Sequence, residues 1–209
     1  IGIKKKDRIM TEKERNIVAH HEIGHAIIGY LLENTEPPIK ISIIPRGENI
    51  LGYAQQEPID KKLYTKCELK DKICVLLGGR ITEEIFFGKD NITTGAIDDI
   101  EKITSIMNKM IFEYGMFSKN YNYKDNKSIS NKVLDNLNKE GDKLLEELES
   151  KVRNLITTHK NNIIKLAQKL LNEDEIYKDD IYNIMEDNIT TEDNITTEDN
   201  ITTEDNITT

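Results

Sequence analysis

The chain has no tryptophan, two cysteines, four prolines and four histidines in 209 residues, and each scarcity removes a class of explanation. Cys67 and Cys74 lie seven positions apart in a stretch with helical periodicity, so their Cα atoms fall about 10 Å apart, beyond the roughly 7 Å a disulfide tolerates. They read as small buried hydrophobes, make a poor metal clip and give no sign of an oxidising compartment. The 209 residues contain no run of 18 or more apolar residues and no hydrophobic signal core, so the piece as given is expected to be soluble. A basic excess is missing too. The net charge is −9, but residues 186–209 hold eight acidic groups and no Lys or Arg, leaving a body of net charge −1. A nearly neutral body gives no electrostatic case for nucleic acid. At 37% hydrophobic, the chain can build one domain with a core, plus appendages.

What is present is the string His20-His21-Glu22-Ile23-Gly24-His25 in a run with helical character. His21 and His25 are one turn apart, so both imidazoles share a helix face with Cβ atoms about 6 Å apart, which suits two ligands on one ion. Glu22 lies about 100° round the helix, where its carboxylate reaches a water on that ion and can serve as general base. Thr11 with Glu14 marks a capped helix start, and Ala26 to Leu32 supplies a dry apolar wall. His20 falls one residue off the face and reads as packing or exposed. A catalytic zinc usually takes three protein ligands plus water, so one ligand must come from elsewhere. Asp98, Asp99, Glu83 and Glu84 are all candidates, and the two aspartates also have a plain role beside a helix start.

Taken in order, residues 1–10 are basic and poorly patterned and read as a linker from a missing upstream module. Residues 11–185 are the body. Residues 186–209, four copies of Glu-Asp-Asn-Ile-Thr-Thr, read as a disordered tail, because one isolated Ile per six residues builds no core. The first helix runs from Thr11 to about Asn34, ending before Pro37-Pro38. Ile39–Ile44 alternates as a strand closed by Pro45-Arg46-Gly47, and Ile50–Gln55 is its hairpin partner. Gly52, Tyr53, Ala54 and Gln55 form a candidate rail for an extended peptide substrate, an ordinary edge strand being the equal alternative. From about Lys66 to Phe87 a long helix is interrupted by Gly78-Gly79, which predicts close packing against a neighbouring backbone such as the first helix. A third helix opens around Thr93–Asp99 and runs to about Tyr114. Residues 118–140 read as a mobile loop passing into a helix. From Lys143 onward, apolar positions recur at helical spacing, and His159 on that stripe reads as a hydrogen-bonded core residue. The fold class is mainly α, with one small β-hairpin or sheet near the site.

Four motifs in order resemble the peptidase domain of FtsH-type membrane-anchored AAA proteases, over roughly Ile1 to Met185. They are His21-Glu22-Ile23-Gly24-His25, Pro45-Arg46-Gly47 with Leu51-Gly52, Gly78-Gly79-Arg80 with Glu83-Glu84, and Thr94-Gly95-Ala96 with Asp98-Asp99. Leu166 to Leu171 with Glu173 and Glu175 is similar to the family's C-terminal helices. The resemblance implies a zinc endopeptidase in which His21, His25 and Asp99 bind Zn²⁺, Glu22 is the catalytic base and Glu83 supports the site from behind. It also implies a hexameric, membrane-anchored parent whose ATPase module feeds it unfolded polypeptide. The phosphate-cradling G-x-x-x-x-G-K-[ST] loop and the membrane helices do not occur in these 209 residues, so ATP and membrane would enter only through missing segments. This sequence departs from the family at Asp98, usually Asn, at Ile23, usually Ala, and at His20, often aromatic; none removes a ligand. Its Asn-, Lys- and Ile-rich style points to an AT-rich eukaryotic genome and a mitochondrial or plastid inner membrane. The rival class is a non-catalytic ring-assembly module with a structural zinc, which a closed four-ligand site would mark and an intact Glu22 disfavours. A free-standing soluble endopeptidase is the third.

Overall fold

The computed structural model describes residues 10–45, 51–57, 61–117 and 130–186. The expected linker, except for Met10, lies outside the described residues, as do Arg46-Gly47, residues 118–129 of the expected loop and the tail beyond Glu186.

Thr11 caps α1 (Glu12–Leu31): its hydroxyl accepts the Glu14 N–H, and the Glu14 carboxylate accepts the Thr11 N–H at 2.8 Å. Ala19 through Gly29 is buried without a break, so α1 is a central helix enclosed on every side. β1 (Pro38–Ser42) and β2 (Tyr53–Gln56) pair antiparallel, with Ile41 opposite Ala54. α2 (Lys66–Phe87) begins on a second capping box, Thr65 with Glu68, and ends at Gly88, whose φ of 88° only glycine adopts without strain. Short 3₁₀ turns at Lys89–Asn91 and Thr94–Ala96 lead into α3 (Ile97–Asn108), which widens into one π-helical turn at Lys109–Glu113. α4 (Asn131–Thr158), α5 (Lys160–Glu173), β3 (Glu175–Tyr177) and a last helical stretch, 178–186, complete the chain.

α1 and α2 meet backbone to backbone, as the mid-helix glycines predict. A Cβ placed on Gly24 would lie 2.5 Å from the Gly78 carbonyl oxygen, and one on Gly78 would lie 2.6 Å from that of Gly24. Around this contact Ile23, Ile27, Ile73, Ile156, Ile163, Leu166 and Leu170 are fully buried, each side chain stabilising the fold by about 1.5–3 kcal/mol.

The expected small sheet has three strands, in the order β2-β1-β3, and three other expectations need correction. Asp174, with φ 63°, turns the chain at the end of α5, and its carbonyl accepts the Ile43 N–H at 3.0 Å, which seats Ile176 opposite Ile41. Residues 131–140 are helical, because Ser130 caps α4 and Leu137 is drawn into the core. Cys74 is buried, but Cys67 is exposed and receives a weak contact from Asn34 Nδ2 at 3.6 Å. His159 is half-buried at the α4–α5 hinge, where its backbone N–H donates to Leu155. No helix among the described residues is long and apolar enough to cross a membrane.

Candidate metal centre and cleft

α1 and the start of α3 bring three side chains together. His21 Nε2 and His25 Nε2 are 3.0 Å apart, and Asp99 Oδ2 lies 3.3 Å from the first and 3.2 Å from the second. A tetrahedral ion with bonds of about 2.0–2.1 Å separates its ligand atoms by roughly 3.3 Å, so this triangle fits a divalent cation. The donor chemistry fits as well. His21 Nδ1–H donates to Glu83 Oε1 at 2.7 Å and His25 Nδ1–H donates to the Val75 carbonyl at 2.7 Å. With those protons on Nδ1, it is the Nε2 of each ring that faces the Asp99 carboxylate, as an N–H donor when the ring is protonated and as a bare lone pair when it is neutral. With both rings neutral, three acceptors converge on a space that calls for positive charge, which a proton on His21 or a cation supplies.

The electrostatics follow. Burial alone would lower the pKa of His21, but hydrogen bonds to Asp99 and Glu83 outweigh it and raise the value to about 9. Burial would raise Asp99, but the two imidazoles outweigh it and hold its carboxyl well below the usual range. Burial pushes the Glu22 carboxyl up, against the pull of His25, His21 and the Ala54 N–H. His20 lies off this face, its ring 4.8 Å from Phe86 and 5.2 Å from Phe87; burial holds it below its ordinary value, against its bond to the Asn16 carbonyl.

A cleft of about 340 Å³ opens over the triangle, lined by Glu22, Gly52, Tyr53 and Ala54 among others. β2 is an edge strand held close to α1: a Cβ on Gly52 would meet Val18 Cγ1 at 2.7 Å and Glu22 Cγ at 3.1 Å. Gln55 is the one expected rail residue outside the cleft. Strand alternation turns its side chain to solvent opposite Lys40, and Gln56 lines the cleft instead. Of the four candidate acids, Asp98 is exposed at the rim, Glu84 pairs with Arg153 at 2.6 Å, Glu83 backs His21, and Asp99 alone joins the imidazoles.

Two contacts lay beyond the sequence reading. Glu83 Oε2 accepts the Thr93 N–H at 2.7 Å while Arg80 Nη1 donates to the Thr93 carbonyl at 3.1 Å. α2 thus grips both polar groups of the residue that starts the turn toward Asp99. The only sequence signal for this was the i,i+3 spacing of Arg80 and Glu83 on one helix face.

Two helix-borne imidazoles and a glutamate beneath a free sheet edge define a metallopeptidase domain, and the chain belongs to peptidase family M41, whose profile matches residues 8–184. It is 35% identical over 196 residues to a Rhodothermus marinus protein named ATP-dependent zinc metalloprotease FtsH, covering 88% of this chain and 28% of that one. It is 37% identical over 204 residues to the mouse mitochondrial inner membrane m-AAA protease component AFG3L2, covering 88% of this chain and 24% of that one. Over 193 residues it is 33% identical to the Saccharomyces cerevisiae m-AAA component YTA10, covering 88% and 25%. The chain spans about a quarter of the length of these relatives.

Proposed function

We propose that this chain is a zinc-dependent endopeptidase domain, the proteolytic portion of an ATP-dependent, membrane-anchored protease of FtsH type. In this reading His21, His25 and Asp99 hold Zn²⁺, Glu22 is the general base and Glu83 orients His21 from behind. The observation that carries it is the convergence of two imidazole nitrogens and one carboxylate oxygen within 3.0–3.3 Å of one another. Zn²⁺ bound there supplies Lewis acidity, polarising a peptide carbonyl and acidifying water to a pKa of about 7.

The residues of the chain do the rest. The backbone of Gly52, Tyr53, Ala54 and Gln55 lays an extended peptide along the free edge of the sheet. Glu22 takes the proton of the attacking water and passes it to the departing amine. Its burial suits that task, since a raised carboxyl pKa lies nearer neutrality than that of an ordinary Glu. The Ala54 N–H holds the carboxylate beneath the strand where the peptide would lie.

The names of two relatives, mitochondrial inner membrane protease components, support a parent protein that sits in an organellar inner membrane and assembles with other subunits. We extend the proposal to a mitochondrial or plastid membrane, a homo-oligomeric, hexameric ring, and unfolded or damaged proteins as substrates. ATP and membrane would act through parts of that parent beyond these 209 residues. Within the chain we assign residues 11–185 to the peptidase domain, 1–10 to a linker and 186–209 to a tail. The rival assembly module with a structural zinc would need a fourth protein ligand, whereas the cluster among the described residues has three members. Glu22→Gln tests the assignment: zinc content should be unchanged while casein hydrolysis falls by about 10²–10⁴-fold. Proteolysis at the parent rate would remove Glu22 from the mechanism.

A further inference from the structure

The two glycines of α2 do different work. Gly78 faces backbone: a Cβ there would meet the carbonyl oxygen and carbon of Gly24 at 2.6 and 2.9 Å and the His25 amide nitrogen at 3.2 Å. Gly79 faces the imidazoles. A Cβ there would lie 2.5 Å from His21 Nε2, 2.6 Å from His21 Cε1 and 2.7 Å from His25 Nε2. Those two nitrogens are the same atoms that face Asp99. We propose that Gly79 is the floor of the metal centre, and that the lack of a side chain at this position is what leaves His21 and His25 free to receive a divalent cation. The inference rests on the metallopeptidase reading above.

The rings cannot simply step back. Ordinary contact begins at 3.4 Å, so each Nε2 would have to retreat by about 0.7–0.9 Å from a methyl group. His21 Nδ1 is tied to Glu83 at 2.7 Å and His25 Nδ1 to the Val75 carbonyl at 2.7 Å, and both rings are buried. Val75 and Glu83 lie on α2 itself, so the helix that would carry the methyl also fixes the rings it would strike. Any retreat pulls the nitrogens out of register with Asp99. Helix propensity favours Ala over Gly at an interior position, so the glycine stands against the local preference of its own helix. Side-chain size at position 79 therefore decides whether an otherwise intact His-Glu-x-x-His helix can hold metal.

The test compares the parent chain with Gly79→Ala, His21→Ala and the double variant. Zinc affinity is read by chelator competition, and stability by thermal melting of the metal-free proteins. Gly79→Ala should bind zinc about 100-fold more weakly or worse, at or beyond the upper end of what loss of an outer-shell partner costs. The methyl should lower the melting temperature in the parent background and lower it less in the His21→Ala background, where one of the two struck rings is gone and only His25 remains in its way. Should Gly79→Ala alone not fold, recovery of folding in the double variant is the expected result. Zinc held by Gly79→Ala as tightly as by the parent overturns the proposal, as does a methyl cost that is equal in both backgrounds. A parent chain that takes up no zinc removes the metallopeptidase reading, and this inference with it.

Discussion

His21 and Asp99 are joined twice. They touch directly, Nε2 to Oδ2 at 3.3 Å, and they are linked through Glu83, which takes the His21 Nδ1–H on one oxygen and the Thr93 N–H on the other, each at 2.7 Å. The direct link is replaceable by an ion, whereas the indirect one holds the two arms in place without it.

Asp99→Ala should therefore lose zinc and keep its fold. Elemental analysis should show zinc affinity down by at least about 100-fold, with an unchanged far-ultraviolet spectrum, because the Glu83 bonds survive. Unchanged zinc content would transfer the third ligand to another acid, with Asp98 at the rim the nearest in sequence.

Gly24→Ala tests the α1–α2 contact. The methyl would meet Thr82 Oγ1 and the Gly78 carbonyl oxygen, the latter at 2.5 Å, and a helix backbone yields little. Overpacking of this kind costs about 1–3 kcal/mol, and a domain of this size loses roughly 2–4 °C of melting temperature per kcal/mol. A melting temperature equal to the parent's would mean that the helices can part at this point without cost.

Lys151→Ala tests a partly buried pair. Asp71 is 4% exposed and accepts from Lys151 Nζ on one oxygen and Asn34 Nδ2 on the other, both at 2.9 Å. Removing the cation strands a buried carboxylate. Because the Lys151 side chain is 45% exposed, the loss should be about 2 kcal/mol, below the roughly 3–5 kcal/mol of a fully buried pair. Urea midpoints would check this, and Lys151→Ala with Asp71→Asn should recover part of the loss.

Glu68→Gln tests acid stability. The Lys61 ammonium, then the N–H and hydroxyl of Thr65, lower the Glu68 pKa from 4.5 to about 2. A folded value below the unfolded one means the contribution is complete above pH 4.5 and is lost as pH falls toward 2. Between those limits the parent's melting temperature should fall more steeply than the variant's. Parallel curves would show that the cap does not titrate with folding.

The helix motif, its capped start at Thr11 and the meaning of Gly78-Gly79 were legible in the sequence because each is a local pattern with one physical consequence. Spacing placed His21 and His25 on a shared face without any knowledge of the tertiary fold. Asp99 was different: Asp98, Glu83 and Glu84 matched it in chemistry, the family resemblance alone singled it out, and the docking of α3 against α2 is what brings it to the imidazoles. β3 was hidden because three residues carry no periodicity and because the turn before it rests on Asp174 in a left-handed conformation, where glycine is usual. The start of α4 was masked by its Asn- and Lys-rich composition, which burial of Leu137 overrides. The grip of Arg80 on Thr93 is a side chain reaching a carbonyl thirteen residues on, and no periodicity reports such contacts.

β1 takes its two neighbours from opposite ends of the chain: β2 follows it within 15 residues, whereas β3 arrives more than 130 residues later. During synthesis the first helix and both imidazoles emerge early, yet the roof that bears on Glu22 stays a two-stranded ribbon until Tyr177 is translated. The sheet over Glu22 is therefore complete only once residues as far as Tyr177 have left the ribosome.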